Sequence, residues 1–322
     1  ILQRNVAIMR LFMSMALFSH PLHGVVCRPW STARPQAFEL QVANKKITPT
    51  GDLLWQGSQS GERFNTGVTL FQNKDSYFLK VNCQGKGAFR LANNNFEIDW
   101  FNQGTPATHY FQSMGLALWL ELQGVLCLHG NALTKGSRTV LLIAPSGTGK
   151  STLSSYLMQN GFQLLTDDMV ALHKEEHSKG YRIYPSWPVM RLWPDSLKHV
   201  AKSNDDLVDV HQGFSKKVVP LPNNSFKGGP KKLTDIILLN RQDSLNSENN
   251  KLKSTIEVTP LKGGAAVIAL LTNTILGEVY RPLNIEVERL AGITELLAQV
   301  RINKLTYPSG IHGLQAISNW LA

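Results

Sequence analysis

The chain has 322 residues, which exceeds the usual single-core range of about 100–200 residues and predicts two lobes. Hydrophobic residues make up 43% of the sequence and charged residues 17%, a balance that excludes an intrinsically disordered protein. The net charge of +10 favours an anionic partner, which could be a nucleotide, a phosphoprotein, nucleic acid or a membrane surface, without choosing among them. Nucleic acid is a minority interpretation, because no predicted helix interleaves basic and aromatic side chains.

The cysteine content and the N-terminal residues bear on location. Cys27, Cys83 and Cys127 are an odd number without paired spacing, which suits a reducing compartment and offers no metal site. The apolar run at 11–18 loosely imitates a signal sequence, but it is too short to span a bilayer, and no small-residue cleavage site follows it. We interpret it as a helix packed on the N-terminal lobe. The sequence therefore predicts a cytoplasmic protein without a membrane span.

Residues 1–102 are predicted to form a β-rich N-terminal lobe. Short runs of β-branched and aromatic residues are separated by Gly, Asn and Asp, which is typical of an antiparallel sheet. The clearest of these runs are 38–42, 68–71, 77–81 and 96–100. They carry no recognisable chemistry, so a structural or substrate-docking lobe is expected.

Residues 103–322 are predicted to form an α/β domain. A buried helix is expected between 105 and 123, followed by a strand at 125–128 that ends at His129. An apolar strand at 139–143 enters a glycine-rich loop. Further predicted elements are a helix at 151–160, strands at 162–166, 233–239 and 305–307, and helices at 264–271, 286–300 and 311–321.

The glycine-rich loop is the strongest motif. The segment Ala144-Pro145-Ser146-Gly147-Thr148-Gly149-Lys150-Ser151 has Walker A spacing, with Ala in the first Gly position. Such a loop directs backbone N–H groups and a helix N-terminus at phosphate oxygens. Its lysine reaches the β- and γ-phosphates, and its serine hydroxyl is a ligand for Mg²⁺. The predicted ATP-binding residues here are Ser146, Gly147, Thr148, Gly149, Lys150, Ser151 and Thr152.

An acidic pair, Asp167 and Asp168, ends the predicted strand 162–166. We expect that strand to lie parallel to the strand before the loop and to deliver the pair beside the phosphates. One carboxylate can then hold Mg²⁺, and the other can take the proton from an attacking hydroxyl. The alternative is a solvated pair in a turn.

Three further basic elements are weaker candidates. His129 is either a donor or proton relay at the phosphate, or a structural histidine. Arg191 either contacts phosphate through its planar guanidinium group or forms a buried ion pair. The lysines between Lys216 and Lys232 are interpreted as a solvated loop in preference to a clamp on phosphate or an acidic substrate.

Taken together, the segments 128–133, 142–151 and 161–168 resemble the catalytic domain of HPr kinase/phosphorylase. The resemblance implies the P-loop nucleotide-binding core shared with phosphoenolpyruvate carboxykinases. It also implies an active site lined by His129, Lys150, Ser151, Asp167 and Asp168. Within that site it implies Asp168 as the base on a serine hydroxyl and Asp167 as a metal contact, together with Ser151. Because HPr kinases assemble, a homo-oligomer is a further expectation from the resemblance.

The sequence also departs from this family. Thr152 stands where the bifunctional enzymes have Glu, and their second glycine-rich signature is missing downstream of the acidic pair. Both departures weigh against phosphorylase activity and against HPr as substrate, and favour the HPr-kinase-related proteins encoded beside peptide-modification systems. The resulting hypothesis is an ATP- and Mg²⁺-dependent kinase that phosphorylates a serine or other hydroxyl of a protein or peptide. The alternatives are a small-molecule kinase of the shikimate-kinase type and an ATP-binding regulatory module without transfer.

Overall fold

A computed structural model describes residues 21–32, 34, 36–60, 65–83, 86–101, 106–145, 147–175, 179–197, 207–210, 215–222, 228–242 and 256–322. The predicted helix at 11–18 and the predicted lobe boundary at 102 lie outside these residues. The chain forms two compact units, one of residues 1–119 and 278–285, the other of residues 120–277 and 286–322. No helix in the described part of the chain is long and apolar enough to cross a membrane.

The first unit contains one sheet, to which seven strands of the described residues belong. Its strands are β1 (Val26–Pro29), β2 (Glu39–Asn44), β3 (Asp52–Ser60), β4 (Asn65–Asn73), β5 (Ser76–Asn82), β6 (Lys86–Ala92) and β7 (Asn95–Phe101), in the order β1-β2-β7-β6-β5-β4-β3. The strands from β3 to β7 are antiparallel to their neighbours, as predicted. In contrast, β2 is parallel to both of its neighbours, β1 and β7. The sheet is therefore mixed. β2 and β7 are neighbours in the sheet but are separated in sequence by β3 to β6, so no hairpin joins them.

The helix predicted between 105 and 123 is present in three pieces. They are α1 (Ala107–Tyr110), a π-helical turn (Phe111–Gly115) and α2 (Leu116–Leu122). Phe111 packs edge-on against Phe96 of the sheet, with ring centroids 4.9 Å apart. A Cβ atom added to Gly115 would come within 2.7 Å of the same phenyl ring, so glycine permits this close approach.

The second unit is built on a larger sheet. Its strands are β8 (Leu126–Lys135), β9 (Arg138–Ile143), β10 (Gln163–Thr166), β11 (Met169–Lys174), β12 (Tyr181–Ile183), β16 (Lys231–Lys232), β17 (Asp235–Gln242), β18 (Glu257–Pro260) and β19 (Arg301–Pro308). Their order is β16-β12-β11-β8-β9-β17-β19-β18, and β10 also pairs with β8. A smaller sheet has the order β13-β15-β14 and consists of β13 (Val189–Leu192), β14 (Val208–Asp209) and β15 (Lys217–Pro220).

Helices cover both faces of the larger sheet. They are α3 (Lys150–Gln159), α5 (Gly263–Leu271), α6 (Glu286–Gln299) and α7 (Ile311–Leu321), and a short helix α4 (Pro194–Leu197) follows β13. Alternate residues of β9 point to opposite faces, so Val140 and Leu142 pack with α3 and α7, whereas Leu141 and Ile143 pack with α5 and α6. A strand buried on both faces is a continuous apolar run, which is the pattern seen at 139–143. The predicted α/β class is confirmed.

A buried ion pair fixes the start of β8. Glu121 is fully buried, its Oε2 lies 2.8 Å from Arg289 Nε, and its Oε1 accepts a hydrogen bond from the Cys127 N–H. Arg289 also donates to the backbone carbonyl groups of Glu121 and Gly124. The pair therefore connects α6 to the chain that enters β8.

Replacing Arg289 with Met should lower the free energy of unfolding by about 3–5 kcal/mol, because Glu121 would remain as an uncompensated buried charge. Urea unfolding at pH 7 measures the loss. The matched control is Lys174→Met, which breaks an exposed pair with Glu295 and should cost about 0–1 kcal/mol. Equal losses in the two variants would contradict a structural role for the buried pair.

Candidate active site

The glycine-rich loop lies between β9, which ends at Ile143, and α3, which begins at Lys150. Ser146 lies outside the described residues. Gly147 and Gly149 have φ values of 81° and 98°, a left-handed conformation that favours glycine. Both glycines therefore adopt a conformation that other residues rarely take. Ser151 and Thr152 lie in the first turn of the helix that follows.

Tyr307 holds the loop from the side of the sheet and was not predicted. Its hydroxyl donates a hydrogen bond of 3.0 Å to the Thr148 carbonyl oxygen. A Cβ atom on Gly149 would lie 3.4 Å from the same hydroxyl oxygen. Tyr307 is near the carboxyl end of β19, and β9, β17 and β19 are parallel, so these ends meet at one edge of the sheet. Because ligands bind at the carboxyl ends of parallel strands, the position of Tyr307 at the end of a predicted strand was the signal that could have identified it.

Lys150 folds back along the loop. Its side chain is buried, and Nζ donates to the carbonyl oxygens of Ala144 at 2.5 Å and Pro145 at 3.5 Å. Burial lowers the pKa of Lys150 to about 8. The buried ammonium group has lost much of its hydration, and its hydrogen bonds go to uncharged carbonyl groups. An anion that reached Lys150 would therefore be bound favourably.

The acidic pair reaches the loop by a different route from the predicted one. The strand before it, β10, pairs antiparallel with β8 and does not lie beside β9, so the expectation of an adjacent parallel strand is wrong. The strand beside β9 is β8, which forms a hairpin with it. The chain that follows α3 forms β10, which pairs with the other edge of β8. His129 also does not end a strand, because β8 continues to Lys135.

The register nevertheless brings the pair level with the loop. Thr166 pairs with Ala132 and Met169 with His129, so Asp167 and Asp168 lie between β10 and β11, opposite Asn131 and Gly130. On the other edge of β8, Gly130 pairs with Ile143, the last residue of β9. The pair therefore lies level with the point where the glycine-rich loop begins.

The backbone of Asp168 is held by three neighbours. Asp168 has a φ of 67°, which is uncommon for a residue other than glycine. Its N–H donates to Asn131 Oδ1 at 3.3 Å, and its carbonyl oxygen accepts from the Gly130 N–H and from His129 Nδ1. Asn131 is buried and donates in turn to Ser154 Oγ at 3.0 Å. These contacts connect the acidic pair to α3, the helix that follows the loop.

The same contacts define the state of His129. A carbonyl oxygen only accepts, so Nδ1 carries the proton in its 2.9 Å hydrogen bond to Asp168. Burial and the charge of Lys150 lower the pKa of His129. A neutral ring with a protonated Nδ1 leaves Nε2 as a hydrogen-bond acceptor, which suits an exchange of protons with a hydroxyl group.

Two cations hold the side chain of Asp168. Its Oδ2 lies 3.1 Å from Arg191 and 3.6 Å from Lys216 Nζ. Burial alone would raise the pKa of Asp168, but these two charges hold it well below its usual range. Arg191 thus forms the ion pair that was the alternative to a phosphate contact. Lys216 was expected in a solvated loop; its side chain is only 17% exposed, so that interpretation is wrong for this residue.

Asp167 keeps an oxygen without a partner. Its Oδ2 accepts a 2.8 Å hydrogen bond from the Arg191 N–H, whereas Oδ1 is buried without a hydrogen bond among the described residues. Burial and the neighbouring charge of Asp168 raise the pKa of Asp167 to about 7. Carboxylate oxygens are among the ligands that Mg²⁺ takes in phosphoryl-transfer sites. The partnerless oxygen of Asp167 is therefore of the chemical type that the predicted metal binds, and the role of Ser151 as a second ligand stays a prediction.

Comparisons with known proteins agree with the resemblance predicted from the sequence. No protein-family model matches the chain. The chain is 28% identical over 130 residues to an HPr kinase/phosphorylase from Aromatoleum aromaticum, an alignment that spans 40% of this chain and 42% of that enzyme. A solved Hpr(Ser) kinase/phosphatase from Coxiella burnetii aligns with 60% of this chain and 86% of its own, at 13% identity and a TM-score of 0.30. The predicted similarity to HPr kinase/phosphorylase is confirmed over the 130 residues that align with the enzyme from Aromatoleum aromaticum.

Proposed function

We propose that this chain is a P-loop kinase that transfers the γ-phosphoryl group of ATP to a serine, or another hydroxyl, of a protein or peptide. The observation that carries the proposal is that the Asp167–Asp168 pair lies level with the start of the glycine-rich loop and acts electrostatically on Lys150. A site of this kind needs a phosphate cradle, a cation for the γ-phosphate and carboxylates for metal and acceptor. The proposed core is the one shared by HPr kinases and phosphoenolpyruvate carboxykinases.

In the proposed complex the loop residues 146–149 and the first turn of α3, including Ser151 and Thr152, surround the phosphates. Backbone N–H groups of a glycine-rich loop and of a helix N-terminus bind phosphate without a change in protonation. Lys150 exchanges its carbonyl partners for phosphate oxygens. Mg²⁺, held by Ser151 and Asp167, would neutralise charge on the phosphates.

The acceptor lies on the other side of the γ-phosphate in this proposal. Its hydroxyl oxygen forms the new bond to phosphorus, the bond from phosphorus to the β,γ-bridging oxygen breaks, ADP leaves, and the hydroxyl proton passes to Asp168. Asp168 is a weak base because Arg191 and Lys216 stabilise its charge. A weak base suffices, since the transition state of phosphoryl transfer is loose and the acceptor mainly needs orientation. The neutral His129 is the second group available to relay that proton.

The remaining parts of the proposal concern the whole chain. We assign residues 103–322 to the catalytic domain and residues 1–102 to a lobe that docks the substrate. The HPr kinase/phosphorylase relative is named for HPr, but Thr152 replaces the glutamate of the bifunctional enzymes, so a different serine-bearing acceptor is proposed here. Cytoplasmic location and assembly into a homo-oligomer stay predictions.

Incubation with γ-labelled ATP, Mg²⁺ and a lysate or peptide pool tests the proposal. We expect label on a serine or other hydroxyl of a protein or peptide, and none when EDTA is added. Label confined to small metabolites would replace this function with that of a small-molecule kinase. Tight ATP binding without transfer to any acceptor would favour the regulatory module.

A further inference from the structure

Lys216 and Lys217 are neighbours in sequence but lie in different environments. Lys216 Nζ is 3.6 Å from Asp168 Oδ2, and its side chain is 17% exposed. Lys217 Nζ is 2.6 Å from Asp209 Oδ1, in an ion pair within the small sheet. Successive side chains of an extended segment point to opposite sides, which directs only Lys216 to the acidic pair.

The small sheet delivers two cations to one carboxylate. Arg191 belongs to β13, which pairs with β15, and Lys216 immediately precedes β15. Both cations lie against the same oxygen, Asp168 Oδ2, and Arg191 is the closer of the two. An ammonium group has three donor hydrogens, so an ion pair of 3.6 Å with a shared oxygen uses little of the capacity of Lys216.

Three cationic side chains of the described residues, Lys150, Arg191 and Lys216, lie around the carboxylates of Asp167 and Asp168. Among them, Arg191 and Lys216 lie against Asp168, and the charge of Lys216 also acts on Lys150 and His129. Cations gathered in a partly buried site repel one another unless a further anion joins them. This group of cations therefore favours the binding of a multiply charged anion near Lys150 and Lys216.

We propose that Lys216 is a second phosphate-binding lysine, which contacts the γ-phosphoryl group of bound ATP from the side opposite Lys150. This inference rests on the proposed function, because it requires ATP at the glycine-rich loop. Lys216 is suited to the role, since a lysine on a flexible stem can move with a phosphoryl group as the group transfers. The lysine would also restrain Asp168 until the nucleotide binds.

The test measures dissociation constants for ATP and ADP, both with Mg²⁺, in wild type, Lys216→Met and Lys217→Met. A lost charge-assisted contact weakens binding by about 10- to 100-fold. We therefore expect Lys216→Met to weaken ATP binding by about that factor while ADP binding changes less than about twofold. Lys217→Met should change neither constant. Lys216→Gln, which is polar and of similar length, provides the same comparison should the methionine variant fail to fold.

Selective loss of ATP affinity would support the inference. Equal losses for ATP and ADP would overturn it in favour of a role confined to holding Asp168, and unchanged constants would overturn it in favour of a surface lysine. Failure of this inference can be distinguished from failure of the proposed kinase activity. A wild-type protein that discriminates ATP from ADP through Lys216 but labels no acceptor would refute transfer while leaving the phosphate contact in place.

Discussion

Replacing Lys150 with Ala should reduce phosphoryl transfer by about 100- to 1,000-fold, because a preorganised charge at the γ-phosphate is lost in the transition state. The protein should remain folded. Lys150 is buried against the carbonyl groups of Ala144 and Pro145, so its removal relieves a desolvation cost and leaves no opposite charge unpaired in a direct ion pair. The measurement is the initial rate of label transfer from ATP, accompanied by thermal unfolding.

The matched control for this prediction is Lys135→Ala. Lys135 is exposed, its ammonium group lies 5.3 Å from the Phe162 ring, and it donates to the Asn160 carbonyl. Lys135 belongs to the same unit, but the partners of these two contacts lie outside the glycine-rich loop. The transfer rate of the Lys135→Ala variant should therefore stay within about twofold of wild type, as expected of a surface substitution. Equal rates in the Lys150 and Lys135 variants would remove Lys150 from the site.

Substitution of either aspartate by asparagine should abolish most transfer while nucleotide binding survives. In Asp168→Asn the acceptor hydroxyl loses the charged oxygen that receives its proton, and we expect a fall of about 100- to 10,000-fold, the range for loss of a general base. Arg191 and Lys216 lose the charge of this carboxylate in the same variant, but in the proposed complex Lys216 gains a nucleotide phosphate. The measurement is the transfer rate at saturating ATP, beside the dissociation constant for ATP.

Asp167→Asn should act through the metal. The raised pKa of Asp167, about 7, means that protons compete with Mg²⁺ for its carboxylate below neutral pH. In wild type the Mg²⁺ concentration needed for half-maximal transfer should therefore rise as the pH falls from 8 to 6. Asp167→Asn should need more Mg²⁺ throughout and lose that pH dependence. An unchanged Mg²⁺ requirement would remove Asp167 from the metal site.

The sequence predicted well those elements that local periodicity specifies. The apolar run at 139–143, the helix after the loop and the three C-terminal helices lie within a residue or two of their predicted bounds. Gly161 has a φ of 87° after α3, as expected of a left-handed helix cap. Lys150 was predicted as a site residue because a glycine-rich loop that ends in Lys-Ser is typical of phosphate binding, and the two aspartates because they end the next predicted strand.

Long-range pairing and side-chain direction were not predictable. The position of β10 beside β8 depends on which strands the β8–β9 hairpin leaves accessible, and no local pattern records it. Lys216 and Lys217 are identical in type and adjacent in sequence, so only the fold shows that the first lies against Asp168 and the second against Asp209. Tyr307 was in a predicted strand, but its contact with the loop required the sheet order.

A crystal structure of the protein with Mg²⁺ and a non-hydrolysable ATP analogue is the most direct test of the central claim that the glycine-rich loop and the aspartate pair form one phosphotransfer site. We expect the γ-phosphate within hydrogen-bond distance of Lys150 Nζ, the metal on Ser151 and Asp167, and an open position for an acceptor hydroxyl beside Asp168. A nucleotide bound elsewhere, or phosphates at the loop that point away from the aspartate pair, would contradict it.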